Sequence, residues 1–596
     1  MLHRFGQFEL DEPARSLRLQ GVSQDIQPRV FDLLLYLVRN AGRVVPKNEL
    51  MDALWPDLTV TEASLQRAVS LARRALALGG MEGAIRSFVR HGYRFAIDEP
   101  GLGQLEPREP TTDGDLATAR DLTKALRWAE AADRFAAIAA ARGLSPADID
   151  LWALAVECLG RPVNAIPILA RAVSAHVDAG DPARAARAAV TLAKIELERA
   201  AASAAFGWLE RAEALLDQAD DSRTRAYLMW MQSRMAAFGG KGVVALELAE
   251  KALNLSAPSG DTALTALLMT YKGFYNLSLG NIGEGSAQQN HAAAIALSST
   301  IDPITGSLIY CNILWSCRTF ADWPRAMQWS DGFESWCEVS FAERPGSCDL
   351  HRAEILGAQQ SLGDALNRIN DALPKLSEEK AWSLGDGYRV RGDIHAMIGD
   401  LDAARADYSM AYALGWDAEP GHAVLLSESG DHDSALAALD RVLEGQTWFH
   451  LQRRGIILVN AARIAAYAGR RDLAEQYLAE VESGRERWPQ PAVQAMITET
   501  RAALRSADDP HRTRLLQLAR QLWTSAGIEY HAARVRLELA GCLLSAGDAT
   551  GAATEATVAE MAAARIGSHR LAKTVAAVQQ TLSETIRKRS EAGGLS

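Results

Sequence analysis

From about residue 115 onward one local pattern recurs, in which a glycine is followed by four residues and then by an alanine that opens an amphipathic segment. It occurs at Gly160/Ala165, Gly240/Ala245, Gly399/Ala404, Gly430/Ala435, Gly469/Ala474 and Gly547/Ala552, and Gly280 carries Gly285 at the same offset. A glycine can turn the chain between two antiparallel helices, and a small residue lets the second helix pack closely on the first. Several separations between these glycines fall near 39–40 residues or twice that, while the 31 between Gly399 and Gly430 departs from it. Alanine-rich segments of 12–18 residues alternate with short Gly/Asp/Pro turns, and no strand signal intervenes. The pattern predicts stacked helix pairs, about ten to twelve of them, forming an all-α solenoid over residues 115–590.

The segments "GDLDAARADYSMAYAL" and "GDHDSALAALDRVL" resemble the hinge and second helix of tetratricopeptide (TPR) repeats. The spacing is longer than that family's 34 residues, so the expectation is a degenerate, TPR-like array. A solenoid of this length is expected to offer a concave surface for a peptide, a protein or a small-molecule effector.

The first hundred residues read differently. "FGQFELD" and "SLRLQG" have the short alternation of strands. "QPRVFDLLLYLVRNAG" carries Val30, Leu33, Leu34, Leu37 and Val38 at helical spacing, with Gly42 where a helix would end. "PKNELMDALW" reads as a short second helix with Pro46 at its first position. "TVTEASLQRAVSLARRALAL" is a third, opened by the Thr59…Glu62 capping-box spacing. "RSFVRHGYRFAI" then places a basic turn around Gly92 between two alternating arms, a β-hairpin with Tyr93 and Phe95 at its root. Residues 99–114, "EPGLGQLEPREPTTDG", are Pro/Gly-rich without apolar periodicity and read as a linker.

Strands, three helices and a closing hairpin make an α+β winged helix-turn-helix. Over most of residues 1–98 the chain resembles the OmpR/PhoB-type DNA-binding domain, on "GRVVPKNELMDALW", "SLQRAVSLARRAL" and "FVRHGYRF". Ala72 departs from the family, which usually has a larger apolar residue ahead of the paired arginines. The resemblance implies double-stranded DNA as partner, and RNA polymerase as a second partner touching the loop "WPDLTV". Common response regulators of the family carry an acidic phosphorylation domain before this one. Here the first strand opens the sequence, so control by an attached phospho-aspartate is not expected. The arrangement looks like bacterial one-component regulators of virulence or antibiotic biosynthesis that join this winged helix to TPR-type repeats.

Helix geometry gives the same answer from the residues alone. At 100° per residue Leu65, Ala68, Val69, Ala72 and Leu76 share one face, the core face. Arg67, Ser70 and Arg74 lie opposite, with Gln66 and Arg73 flanking, a face suited to the major groove, where arginine reads guanine bidentately. Arg90, His91 and Arg94 of the wing suit phosphates or the minor groove. The plain alternative is a solvated basic helix face, and the surrounding fold favours DNA. Residues 1–98 carry 13 Lys+Arg against 11 Asp+Glu, while the whole chain has a net charge of −11, so positive charge is local to this end. So small an excess suggests weak binding by one copy and a homodimer or cooperative occupancy on adjacent half-sites.

No apolar h-region or membrane-length apolar run is visible, and the six cysteines include no CxxC pair, so a cytoplasmic protein without membrane contact is expected. "GGKG" at 239–242 lacks the leading glycine of a phosphate loop, with Met235 in its place, and Gly242 stands where Ser or Thr is needed. Neither HExxH nor GxSxG occurs, and no catalytic residues, cofactor or metal are expected.

Eight of the chain's 39 aromatic residues fall within 310–341. The sharper reading of this cluster is an effector pocket lined by Tyr310, Trp315, Trp323, Trp329 and Trp336, and the plainer one is a wide inter-repeat core. Cys311, Cys317, Cys337 and Cys348 lie in the same region without zinc-ligand spacing, so buried free thiols are the default over redox sensing. The function expected is a DNA-binding transcription regulator whose solenoid senses an effector or holds a partner. The alternative is a repeat scaffold whose winged helix contacts protein.

Overall fold

A computed structural model describes residues 2–5, 8–11, 15–19, 22–24, 26–40, 45–54, 62–77, 81, 84–88, 92–95 and 114–593, apart from 298–300, 360, 485–486 and 508. It divides into two compact units, residues 1–110 and 111–596.

The first unit opens with an antiparallel sheet of β1 (Leu2–Phe5), β2 (Phe8–Asp11), β3 (Ser16–Leu19) and β4 (Val22–Gln24), each strand paired with the next. Three helices follow: α1 (Pro28–Arg39), α2 (Lys47–Leu54) and α3 (Glu62–Ala77). Between α1 and α2 a two-residue strand, β5 (Val45–Pro46), pairs with the closing hairpin β6 (Ile85–Phe88) and β7 (Gly92–Phe95), in the order β5-β7-β6. Pro46 is therefore the end of a strand opposite Gly92, and the helix starts one residue later than its proline suggests. Gly42, Thr59 and all of the linker except Gly114 lie outside the described residues, and Gly114 itself opens the first solenoid helix.

Alternation sends Phe5, Phe8, Leu10 and Leu17 from the sheet, and Tyr93 and Phe95 from the hairpin, into one apolar core with Leu33, Leu34 and Leu37 of α1. Phe5 and Phe95 meet edge to face at 5.0 Å, which ties the hairpin root to the first sheet. Gly92 is obligatory at the start of β7. Its φ is +147°, and a Cβ there would stand 1.8 Å from the Val45 carbonyl oxygen.

The second unit is helical throughout its described residues, running from Gly114–Lys124 to His569–Gly593. Every glycine of the recurring pattern takes positive φ, including Gly160, Gly240, Gly280, Gly399, Gly430, Gly469 and Gly547. The partner alanines Ala165, Ala245, Ala404, Ala435, Ala474 and Ala552 are fully buried between helices. The frequent Gly-Asp step follows from this geometry. Gly399 ends one helix in the left-handed conformation, and the Asp400 carboxylate then accepts the Ala403 N–H to cap the next. Gly547 and Asp548 repeat the arrangement before the helix Ala549–Ile566.

The helix pairs coil into a superhelix tight enough for its inner helices to meet those of the next turn. Gln452 donates to the Ser278 hydroxyl and accepts from Thr319, while Ser568 donates to the Met397 carbonyl. The concave surface expected of an open solenoid is thus partly taken up by contacts between turns, and two cavities lie along it.

Candidate functional site

In the first unit the described side chains of α3 separate cleanly. Leu65, Ala68, Val69, Ala72 and Leu76 are buried, and Gln66 and Ser70 are exposed. Arg67 and Arg74 lie on α3, but their side chains are outside the described set, as are Arg90, His91 and the loop residues 55–60. Arg94 is half-buried on β7, opposite Arg86 in the hairpin register. Arg73 has turned inward: its Nε and Nη2 donate to the Ile85 carbonyl at 3.1 and 2.9 Å, tying α3 to the first strand of the hairpin. Its placement fits setting the angle between helix and wing.

A model of the family described as "Transcriptional regulatory protein, C terminal" matches residues 21–95. The first unit is an OmpR/PhoB-type winged-helix domain. The chain is 37% identical over 71 residues to the transcriptional regulator HilA of Salmonella typhi, covering 12% of this chain and 13% of that protein. It is 31% identical over 93 residues to the phosphate regulon transcriptional regulatory protein PhoB of Rhizobium meliloti, covering 15% of this chain and 41% of that one. Among solved structures, the chain is similar to the APC/C hetero-tetramer Cut9–Hcn1, with a TM-score of 0.41 and 13% identity over 80% of this chain and 91% of that one. Yeast Tom70 follows with a TM-score of 0.30 and 12% identity, over 80% of this chain and 96% of that one. No described helix is long and apolar enough to cross a membrane.

Inside the solenoid the aromatic residues grouped by the sequence separate. Tyr310 is fully buried, stacked on Phe333 at 4.7 Å and beside Trp336 at 5.7 Å, and Trp336 packs over Gly306. Trp329 donates its indole N–H to Asn290 at 3.2 Å. None of Tyr310, Trp329 and Trp336 lines either of the two principal interior cavities; they fill space between helices. Trp315 lines both cavities and Trp323 the larger one.

What surrounds Trp315 was not anticipated. Trp382, Trp448, Trp416 and Phe449 pack around it with ring centroids 5.2, 5.3, 6.0 and 6.0 Å away. A signal was present: Trp382, Trp416 and Trp448 recur 34 and 32 residues apart, each in a connection between helices or at a helix start, so repeat geometry brings them together. Trp315, Trp382 and Trp448 of this wall bound a smaller cavity of about 210 Å³, where Glu379 sits with one carboxylate oxygen unpartnered and burial pushes its carboxyl up to about 7.

The larger cavity, of about 580 Å³, lies beyond Trp315 and is laced with ion pairs. Asp386 accepts from Arg318 at 2.8 Å and from Arg389 at 2.7 Å. Burial works against its ionisation, but the two guanidinium groups outweigh it and hold the carboxyl well below the usual carboxylate range. Glu354 bridges the same two arginines. His351 accepts at Nδ1 from Arg318 at 2.6 Å, and burial, with Arg318 beside it, drives its pKa far down, so the ring is neutral. Arg534 and Arg463 share Glu499, and Arg570 pairs with Glu428.

Arg453 is the exception among the arginines of this cavity. No described carboxylate lies within ion-pair distance of it; its Nη2 donates to the Glu419 carbonyl, and its guanidinium lies 4.4 Å from the centre of the Phe449 ring. Its Nη1 is buried without a partner. Burial, reinforced by nearby Arg389, lowers its pKa to about 10.

The cysteines come together only in part. Cys348 has its sulfur 3.8 Å from Cys311 and 4.0 Å from Cys337, while Cys317 lies apart and burial raises its thiol to about 12. All three clustered thiols are free and at least half-buried, the setting of poorly reactive cysteines.

Proposed function

We propose that this chain is a DNA-binding transcription regulator in which the winged helix reads double-stranded DNA and the solenoid senses an effector or holds a partner protein. The observation that carries the reading is the division of α3 into a buried apolar face and a polar face with Gln66 and Ser70 exposed, inside a domain of the OmpR/PhoB type. Gln66, Arg67, Ser70 and Arg74 are assigned to the major groove, and Arg90, His91 and Arg94 to phosphates or the minor groove. Arg73 is assigned to holding helix and wing together at the flank of the DNA-facing surface. The domain bounds adopted are 1–98 for the winged helix, 99–114 for the linker and 115–590 for the solenoid. A cytoplasmic location, contact with RNA polymerase through residues 55–60 and paired occupancy of half-sites belong to the same reading. The matches to HilA and PhoB span well under two thirds of those proteins, so they support the domain's role and leave the solenoid's to its own chemistry.

The test is binding of the full-length chain, and of an Arg67→Ala/Arg74→Ala variant, to DNA from its own promoter neighbourhood across a salt series. Wild type should bind saturably, with affinity falling steeply as salt rises, because phosphate contacts release counterions. The double variant should lose about 2 kcal/mol or more of specific binding, in line with the usual worth of a base-reading arginine. Equal, sequence-independent binding by both proteins would sink the assignment.

A further inference from the structure

We propose that the smaller cavity of the solenoid binds a small alkylammonium ion, its N–H donated to Glu379 and its alkyl groups held against the rings of Phe238, Trp382 and Trp448. This deepens the effector-sensing reading above and rests on it for its biological meaning, but the site itself stands on the cavity alone.

The first argument is charge. Three carboxylates, two cations and one histidine line this cavity. Lys194 pairs with Glu157 at 2.6 Å and Arg234 with Glu198 at 3.5 Å, while the neutral His351 accepts from Arg318. Glu379 is left over, and its Oε1 is buried without a hydrogen bond. Burial opposes its ionisation, as do Glu198 and Glu343; the Gly346 N–H and Lys375 favour it less strongly. Lys375 is itself held by Asp349 at 3.0 Å and Glu343 at 4.0 Å, in a network where five carboxylates face four cations. A buried carboxylate without a counter-ion is costly, and a cation entering the cavity would supply one.

The second argument is shape. Phe238, Trp382 and Trp448 all line the cavity, and their rings stand at 87°, 88° and 87° to one another in the three pairs, with centroids 5.6–6.1 Å apart. Three flat walls at right angles make the corner of a box, and aromatic faces carry the negative end of the ring quadrupole. Such cages hold ammonium ions, whose charge attracts the faces while their alkyl groups touch them. An anion would meet the same faces and Glu379 with the wrong sign. The volume of about 210 Å³ is below the roughly 300–1,000 Å³ of sites for drug-sized ligands, so the ion has only a few heavy atoms. The partly exposed Pro162, Glu198 and Pro345 line the same cavity and open it to solvent.

The third argument is position. Phe238 ends the helix Ser222–Phe238, Trp448 opens Trp448–Tyr467, and Glu379 and Trp382 lie in the connection between Leu362–Glu378 and Leu384–Ile398. The Trp382 N–H donates to the Glu198 carbonyl at 2.9 Å, which fixes that connection against a much earlier helix. A ligand among these segments joins helix pairs far apart in sequence, so its binding would strengthen the contacts between turns.

The test is calorimetric titration of the full-length chain at pH 8, above the value of about 7 to which the Glu379 carboxyl is raised. The probes share one shape: protonated dimethylaminoethanol, its uncharged carbon isostere isoamyl alcohol and the anion isovalerate. The amine should bind at one site per chain at least about tenfold tighter than the alcohol, the difference one charge-assisted contact makes, and isovalerate should not bind. Glu379→Gln should erase the preference for the cation, and Glu379→Asp should keep part of it. Equal binding of amine and alcohol, no binding of the amine up to millimolar concentration, or an unchanged preference in a folded Glu379→Gln variant would each overturn the proposal. The comparison of the three probes on wild type decides the matter even if that variant does not fold. Promoter DNA binding is measured on the same wild-type preparation. Intact DNA binding without amine binding rejects the ligand site and keeps the regulator, and amine binding without DNA binding does the reverse.

Discussion

The two units of this protein build their interiors from different materials. In the winged helix every buried described side chain is apolar, from Phe5 through Leu34 to Phe95. In the solenoid the interior carries Lys194, Arg234, Arg318, Asp386, Arg389, Arg453 and Glu499, all below one-tenth exposed. A single apolar core suffices for a small domain, whose polar groups can all face water. A superhelix that closes on itself must bring the inner faces of successive turns together, and those faces keep their polar residues by pairing them. The lesson is that the first interior is built to hold a shape, whereas the second has room for recognition.

The contrast can be sharpened where it should be largest. Asp386→Ala would remove one of the two carboxylates that Arg318 and Arg389 share in the interior, and loss of one partner of a buried ion pair costs about 3–5 kcal/mol. Chemical denaturation should show that loss in the solenoid transition and none in the winged helix; a change below 1 kcal/mol, about the worth of an exposed pair, would mean that the network is solvated. In the winged helix the weak point is backbone geometry. Gly92→Ala should cost about 1–3 kcal/mol through strain and collision with Val45, with no dependence on salt, and hydrogen exchange in β5 and β7 would report it.

A smaller effect separates the units by pH. The Glu379 carboxyl is raised to about 7 by burial, so its contribution to stability is full below its ordinary unfolded value near 4.3 and is lost as pH rises through about 7. Glu379→Gln should therefore flatten the fall in solenoid stability between pH 5 and 8, an effect on the order of 1–3 kcal/mol at the alkaline end. Parallel melting curves for wild type and variant across that range would contradict it.

Legibility in the sequence followed the range of the interactions. The core face of α3 and the roots of the hairpin were visible because one-sided burial prints a period of 3.6 or 2 on the residues. β5 was not, since two residues carry no period and the strand exists only through its pairing with Gly92. Arg73 flanks the polar face of α3, and its contact with the Ile85 carbonyl, between helix and hairpin, is one that helix periodicity does not record. In the solenoid, Gln452, Arg453 and Asn460 sit on a helix buried on nearly all sides, where no polar face marks the outside. The aromatic cluster of 310–341 was real as composition, but its members divided between helix packing and cavity lining.

The glycine-to-alanine spacing by itself determined that the chain folds as paired helices, because a left-handed turn and a close helix contact are local demands that only small residues meet. The order of apolar residues likewise determined a winged helix at the N-terminus. The tertiary structure alone decided that the superhelix closes. It also placed Arg453 beside the Asp386 and Glu354 network without a direct ion pair and gathered Trp315, Trp382, Trp416 and Trp448 into one wall. Those outcomes rest on contacts such as Thr319 with Gln452, 133 residues apart, and Gln452 with Ser278, 174 apart. Small rotations between successive helix pairs add up to set such contacts, and no local pattern records the sum.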